Sequence, residues 1–286
     1  MRHRTREHPY LHPTVYPSAH DRAALSSHLF GDLTEDVLIR AGITPGMHVL
    51  DVGCGRGDVT LLAARLVGPT GRVIGIDRSA DALGIAASVA GALRLGNVSF
   101  READLRDFVL DDGVDAIVGR FALVRQPDYA DALRRLARSL RPGGVMAFQE
   151  MVLTGGLEAS PRCALLERCG EWLRETFRRA GLDERAGLRL HAAFVEAGLG
   201  EPRMIVRASA QSASTSTTLA SVAALVRSFL PLILRLGVAS PAEVDIDTLA
   251  ERLRAEATAA GAVVTSPLLV GAWARRGRRE ELPNAA

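Results

Sequence analysis

One stretch, His48-Val49-Leu50-Asp51-Val52-Gly53-Cys54-Gly55-Arg56-Gly57-Asp58, constrains the fold more than any other part of the chain. An apolar run leads straight into a turn with glycine at every second position, and Asp51 stands just ahead of that turn. Twenty residues past Gly57, a second apolar run, Val73-Ile74-Gly75-Ile76, closes on Asp77. Strand, glycine turn, helix, strand and acid make a nucleotide-binding βαβ unit. Glycines let the backbone pass close to a ligand and permit positive φ. The helix that follows offers free N–H groups and the positive end of its dipole. Asp77 is placed to accept hydrogen bonds from two ribose hydroxyls. The spacing argues against a dinucleotide, because G-x-G-x-x-G requires a third glycine where this chain has Asp58.

The surrounding pattern predicts an α/β fold: a seven-stranded, mostly parallel, Rossmann-like sheet with helices on both faces and a helical cap. Residues 1–42 read as an irregular arm followed by a helix from Asp21 to Ala41, with Gly42 as its C-cap. Residues 43–151 read as the nucleotide-binding core. Its strands are placed at Met47–Val52, Arg72–Ile76, Val98–Arg101, Val114–Gly119 and Val145–Gln149. Helices are placed at Asp58–Leu66, Ser79–Leu95 with Ser79 as N-cap, and Pro127–Leu140. Arg141-Pro142-Gly143-Gly144 is read as the end of that last helix. Residues 152–216 hold a helix begun by Ser160-Pro161, a second at Leu188–Ala197, and strand six at Pro202–Ala208. Residues 217–264 read as an inserted helical cap, with capping boxes at Ser240-Pro241-Ala242-Glu243 and Thr248-Leu249-Ala250-Glu251. Residues 265–286 hold strand seven, Pro267–Ala274, and a charged tail.

The string D-V-G-C-G-x-G, followed by a correctly spaced Asp77, resembles the first motif of class I S-adenosylmethionine-dependent methyltransferases. The similarity covers most of residues 40–150. It is nearest the small-molecule branch that includes ubiquinone/menaquinone C-methyltransferases and bacterial natural-product methyltransferases. The resemblance implies S-adenosylmethionine as cofactor and assigns roles to matching residues. Asp51, Gly53, Cys54, Gly55 and Gly57 would lie under the methionine part and ribose. Asp77 would hold the ribose, and Arg78 would flank the adenine. Ala103-Asp104-Leu105 would take the adenine amino group. Gly119, Arg120 and Phe121 would lie beside the methionine end and the substrate. Arg120 has a second reading, a structural ion pair with an acid of the cap. Cys54 has one as a small buried side chain, since no Pro-Cys nucleophile pattern is present.

Glu150 ends the fifth strand in Phe148-Gln149-Glu150 and is the sharpest catalytic candidate. A carboxylate there can take a proton from the acceptor or hold the positive charge that arrives on it. Alternatively it merely ends a strand. Tyr16 and His20, in the N-terminal arm, are weaker candidates for closing the site. Trp172 and Phe177 either line an apolar substrate pocket or form a core stripe.

Composition limits the rest. Net charge is +2 over 286 residues, and all 35 basic residues are arginine. That disfavours a nucleic-acid partner. The three cysteines show no C-x-x-C pairing, no metal set is evident, and the N-terminus lacks an apolar signal core. Phe229–Val238, the longest strongly apolar stretch, is too short to span a bilayer. The expectation is a cytoplasmic monomer or homodimer, with no membrane partner, that methylates carbon or nitrogen of a small, apolar, aromatic or polyketide-like molecule. The absence of His near strands four and five tilts against oxygen. An O-methyltransferase, a non-catalytic S-adenosylmethionine-binding module and an NAD-dependent reductase are the alternatives.

Overall fold

The computed structural model describes residues 31–110 and 112–277. They fall into two compact units. One holds Thr34–Gln149, Arg189–Ile205 and the residues from Gly271 on; the other holds Glu150–Leu188 and Val206–Val270, with residues 31–33.

The first unit is built on a sheet of seven strands. They are β1 (His48–Val52), β2 (Arg72–Asp77), β3 (Val98–Glu102), β4 (Val114–Arg120), β5 (Leu140–Val152), β7 (Arg203–Arg207) and β10 (Leu268–Arg275), in the order β3-β2-β1-β4-β5-β10-β7. Strands β3, β2, β1, β4 and β5 run parallel. β1 is central and almost fully buried, which explains its continuous apolar character. Asp51, paired in register with Gly75 and Val118, is the charged exception. Around the sheet run α1 (Gly31–Ala41), α2 (Asp58–Val67), α3 (Ala80–Ala92), α4 (Tyr129–Leu136) and α6 (Ala186–Glu196). Gly75 lets β2 approach α2 and β3. A Cβ there would stand 2.9 Å from Cys54 Sγ, Phe100 Cδ1 and Thr60 Oγ1.

Several boundaries differ from the sequence reading in this unit. α4 is shorter than Pro127–Leu140 and ends in a 3₁₀ turn, Ala137–Ser139. β5 begins at Leu140, so Arg141-Pro142-Gly143-Gly144 belongs to the strand. A register shift against β4 admits Pro142, and Gly143 and Gly144 exchange backbone hydrogen bonds with Arg276.

The second unit contains α5 (Ala164–Ala180), α7 (Thr218–Arg235), the one-turn α8 (Pro241–Val244) and α9 (Leu249–Ala259). It also has a small antiparallel sheet of β6 (Ala159–Ser160), β9 (Val263–Thr265) and β8 (Ala210–Ser212), in the order β6-β9-β8. α7 packs on α5 and α9, and Phe177 stacks 5.1 Å from Phe229. α7 is long and apolar enough, by length and composition, to cross a membrane, which the shorter stretch Phe229–Val238 does not suggest. Half of it is buried within the protein, as in the core helix of a globular unit.

Three local expectations fail here. Ser160 does not cap a helix: it pairs with Val263 in the small sheet, and α5 starts at Ala164. The cap comes instead from Glu256 of α9, whose carboxylate accepts the Ala164 and Leu165 N–H groups. The segment 217–264 is not helical throughout, because Val263 and Val264 enter β9. The capping box at Ser240 forms in full, but Thr248 makes none. Its hydroxyl engages the Asp245 side chain and accepts from Arg252 Nε at 3.0 Å.

Candidate cofactor site

The glycine turn connects β1 to α2. Gly53, Gly55 and Gly57 have φ of 68°, 53° and 87°, a region that side-chain-bearing residues rarely adopt. The turn is pinned to β2 by Cys54 N–H donating to Ile76 O at 2.9 Å, and it closes on itself through Gly57 N–H to Cys54 O. Asp77, at the end of β2, accepts from Gly55 N–H through Oδ2 and from Ser79 N–H through Oδ1, both at 2.9 Å. Each carboxylate oxygen keeps a further lone pair. Asp77 therefore fixes the turn and still offers acceptors beside it.

Asp51 is fully buried. Thr60, in the first turns of α2, donates to Oδ2 at 2.6 Å. No donor reaches Oδ1 among the described residues. Burial pushes the Asp51 carboxyl up to about 7, against the pull of the Thr60 hydrogen bond and the Arg120 charge. A buried carboxylate oxygen without a donor fits a cationic ligand group, and the α-ammonium of S-adenosylmethionine is one. Cys54 is also buried, and burial drives its thiol far above the usual range, so it is no nucleophile. Cys163 and Cys169 are buried, free thiols as well.

Arg120 ends β4. Its Nη2 pairs with Asp58 of α2 at 3.2 Å, and its Nη1 donates to Thr34 Oγ1 at 3.1 Å. Thr34 donates onward to Gln149 Oε1 at 3.0 Å. The ion pair thus ties β4 to the helix behind the glycine turn, not to an acid of the cap. Burial draws the guanidinium downward, and Asp58 and Asp51 oppose that shift. Phe121 follows at φ 57°, with Arg120 5.9 Å from its ring centroid and its N–H on Gln149 O. Such backbone strain in a bulky residue concentrates at ligand sites. Gly119 lies just before, in the β4 segment paired with β5.

Ala103, Asp104 and Leu105 follow β3. Ala103 N–H reaches Asp77 O at 3.0 Å. Asp104 is held by Arg106 at 2.7 Å and by Arg78 at 3.6 Å. Partial burial raises its carboxyl, but the Arg106 hydrogen bonds outweigh this and leave it below the usual range. Arg78 thus leans on Asp104. Thr60, Asp58, Thr34 and Gln149 escape the sequence reading. The signal for Thr60 was a buried hydroxyl on the otherwise apolar face of α2.

In the second unit, Glu150 is buried within β5 and does not end it, because the strand runs on through Met151 to Val152. Trp172 and Phe177 are buried along α5, as a core stripe would be. Tyr16 and His20 lie outside the described residues.

Residues 43–179 match a family described as a methyltransferase domain. The chain carries a methyltransferase domain. Its sheet is of the class I, Rossmann-like kind, and the likeness implies S-adenosylmethionine as cofactor. A demethylmenaquinone methyltransferase of Halalkalibacterium halodurans is 35% identical over 111 residues, 38% of this chain. The match spans only 45% of that relative's length. Two solved structures share the fold. Bacillus subtilis YcgJ, at 18% identity and TM-score 0.54, is covered over 99% of its length by 87% of this chain. A Haemonchus contortus phosphoethanolamine N-methyltransferase, solved with S-adenosylhomocysteine, has TM-score 0.55 at 15% identity. That comparison covers 90% of this chain and 58% of the other.

Proposed function

We propose that the protein transfers the methyl group of S-adenosylmethionine to a carbon or nitrogen of a small, apolar, aromatic molecule, with Glu150 serving the acceptor. The observation that carries this reading is the pairing of a glycine turn with two carboxylates, the donor-free Oδ1 of Asp51 and the anchored Asp77. The cofactor supplies an electrophilic methyl on a sulfonium. Asp51 holds its ammonium, and Asp77 orients its ribose. Arg120, through Asp58 and Thr34, keeps the ends of β4 and α2 in place beneath them. As the bond from carbon or nitrogen to the methyl forms, the bond from methyl to sulfur breaks. The accepting atom gains positive charge and must shed a proton. A buried carboxylate in the position of Glu150 takes that proton or balances the charge. The curated relatives are named for demethylmenaquinone, which supports an apolar acceptor. We place the enzyme in the cytoplasm, acting on a free small molecule.

The test is Glu150→Gln, assayed with methyl-labelled cofactor against a panel of quinols, indoles and phenolic polyketides. Binding of S-adenosylhomocysteine should be retained and turnover should fall. A general base predicts a loss on the order of 10²–10⁴ in kcat and an acidic limb that vanishes in the variant. Charge balance alone predicts a smaller, nearly pH-independent loss. Wild-type turnover in the variant would remove Glu150 from the chemistry. Label appearing only on oxygen would favour the O-methyltransferase reading.

A further inference from the structure

The first unit carries a concavity of about 780 Å³. It lies at the starts of β2 and β3 and at the ends of α2 and α3. β2 advances five residues from Arg72 here to Asp77 at the cofactor turn, about 16 Å at the usual rise of a strand. The groove opens at that far end of the strands and reaches along β3 as far as Arg101, the register partner of Ile76, one residue short of Asp77.

Four arginines line this groove: Arg65, Arg72, Arg94 and Arg101. It has no acidic and no aromatic lining residue. Among the described residues none of the four guanidiniums is in an ion pair or a side-chain hydrogen bond, unlike Arg78, Arg106, Arg120 and Arg141 nearby. The concentration is not a reflection of overall charge, which is only +2. Helix ends do not neutralise it either. The C-termini of α2 and α3 supply roughly half a negative charge each, against four positive charges. Asn97 already occupies the end of α2, donating to Ala64 O and Gly68 O. Arg94 follows α3 at φ 55°, in the position after a helix where glycine is the usual residue. Holding arginine in that conformation costs stability, and the cost keeps a guanidinium at the rim. Between the charges, the walls are aliphatic, from Val73, Leu95 and Val98.

We propose that this groove binds an organic diphosphate with an aliphatic body. Planar guanidiniums form bidentate, charge-assisted hydrogen bonds to phosphate oxygens, and several around one cavity suit linked phosphates. The volume is that of a small-molecule site. A nucleic acid would call for an extended basic stripe and, for single strands, aromatic stacking surfaces. This lining has neither feature. Aliphatic walls favour an alkyl chain over a base.

Calorimetry on the full chain tests this with inorganic pyrophosphate, isopentenyl diphosphate and ADP, and with duplex DNA as a comparison. Pyrophosphate should bind, isopentenyl diphosphate should bind more tightly, and ADP should gain nothing over pyrophosphate. The double variant Arg72→Gln/Arg101→Gln changes only exposed side chains. It should weaken diphosphate binding by roughly tenfold or more for each guanidinium removed, and leave S-adenosylhomocysteine affinity unchanged. Several results would overturn the proposal. One is no diphosphate binding; another is equal binding by wild type and variant. Competition between pyrophosphate and S-adenosylhomocysteine would place the anion in the cofactor site. ADP binding more tightly than the alkyl diphosphate would remove the aliphatic ligand. DNA binding lost with the same two arginines would make the groove part of a nucleic-acid surface.

Discussion

Substituting Asp51 by Asn should move stability and cofactor affinity in opposite directions. The Asp51 carboxyl sits near 7 in the fold, raised by burial from an ordinary value of 3.8. A carboxyl raised in the folded state binds its proton more tightly there than in the unfolded chain. Its contribution to stability is therefore intact below about pH 4, declines as pH rises, and is fully lost above about pH 7. Three pKa units correspond to about 4 kcal/mol at most. Asp51→Asn removes the ionisable group, so the ligand-free variant should melt higher than wild type at pH 7.5, and the difference should vanish near pH 4. Cofactor binding runs the other way. A cation at Oδ1 needs the ionised carboxylate, so affinity should scale with the ionised fraction. With a free carboxyl near 7, that fraction changes about 25-fold between pH 7.5 and pH 5.5. Calorimetry with S-adenosylhomocysteine across this range should show wild-type affinity falling by about that factor, with one proton released per ligand bound at low pH. The Asp51→Asn variant should bind weakly and with a flat profile. An affinity in wild type that is independent of pH, or an equal pH dependence in the variant, would refute the assignment of Asp51 to the cofactor's ammonium.

Asp77→Ala should weaken cofactor binding roughly 10- to 1000-fold with the fold intact, since two hydrogen bonds to a charged acceptor are lost; unchanged affinity by calorimetry would misplace the ribose. Glu256→Ala should destabilise the protein by about 1 kcal/mol, the worth of a helix cap, read as a lowered melting temperature. Hydrogen exchange should be faster at Ala164 and Leu165 in that variant, whose N–H groups Glu256 holds. Gly75→Ala should cost about 1–3 kcal/mol by overpacking, because its Cβ meets three atoms at 2.9 Å. Because Thr60 is one of the three, chemical denaturation and cofactor affinity should both register the change.

Features written within a few residues of one another were legible in the sequence. The glycine turn, the acid closing β2, the Ser79 cap and the Ser240 capping box each depend on a local run of backbone. What the sequence hid is long-range. Arg120 finds Asp58, 62 positions back, and Thr34, 86 positions back. No spacing rule links them, because the sheet brings β4 beside β1 and so beside the start of α2. The start of α5 was misread for the same reason. Ser160-Pro161 looks like a local cap, yet β-pairing with Val263 claims Ser160 and a carboxylate 92 positions away caps the helix. Thr248 shows a matching sequence pattern overridden by a nearer partner, Asp245.

The strand order has a consequence for how the chain is made. β10 is the last strand among the described residues, yet it lies inside the sheet, between β5 and β7. Until Arg275 leaves the ribosome, β5 presents an open edge, although the glycine turn and Asp77 were completed some two hundred residues earlier. An unpaired, apolar strand edge is a site for wrong pairing. Non-local closure of this kind is also slow. Chains shortened before Leu268 retain every residue assigned to the cofactor and still expose that edge. Their defect should therefore appear as aggregation during synthesis, before any loss of ligand contacts can be measured.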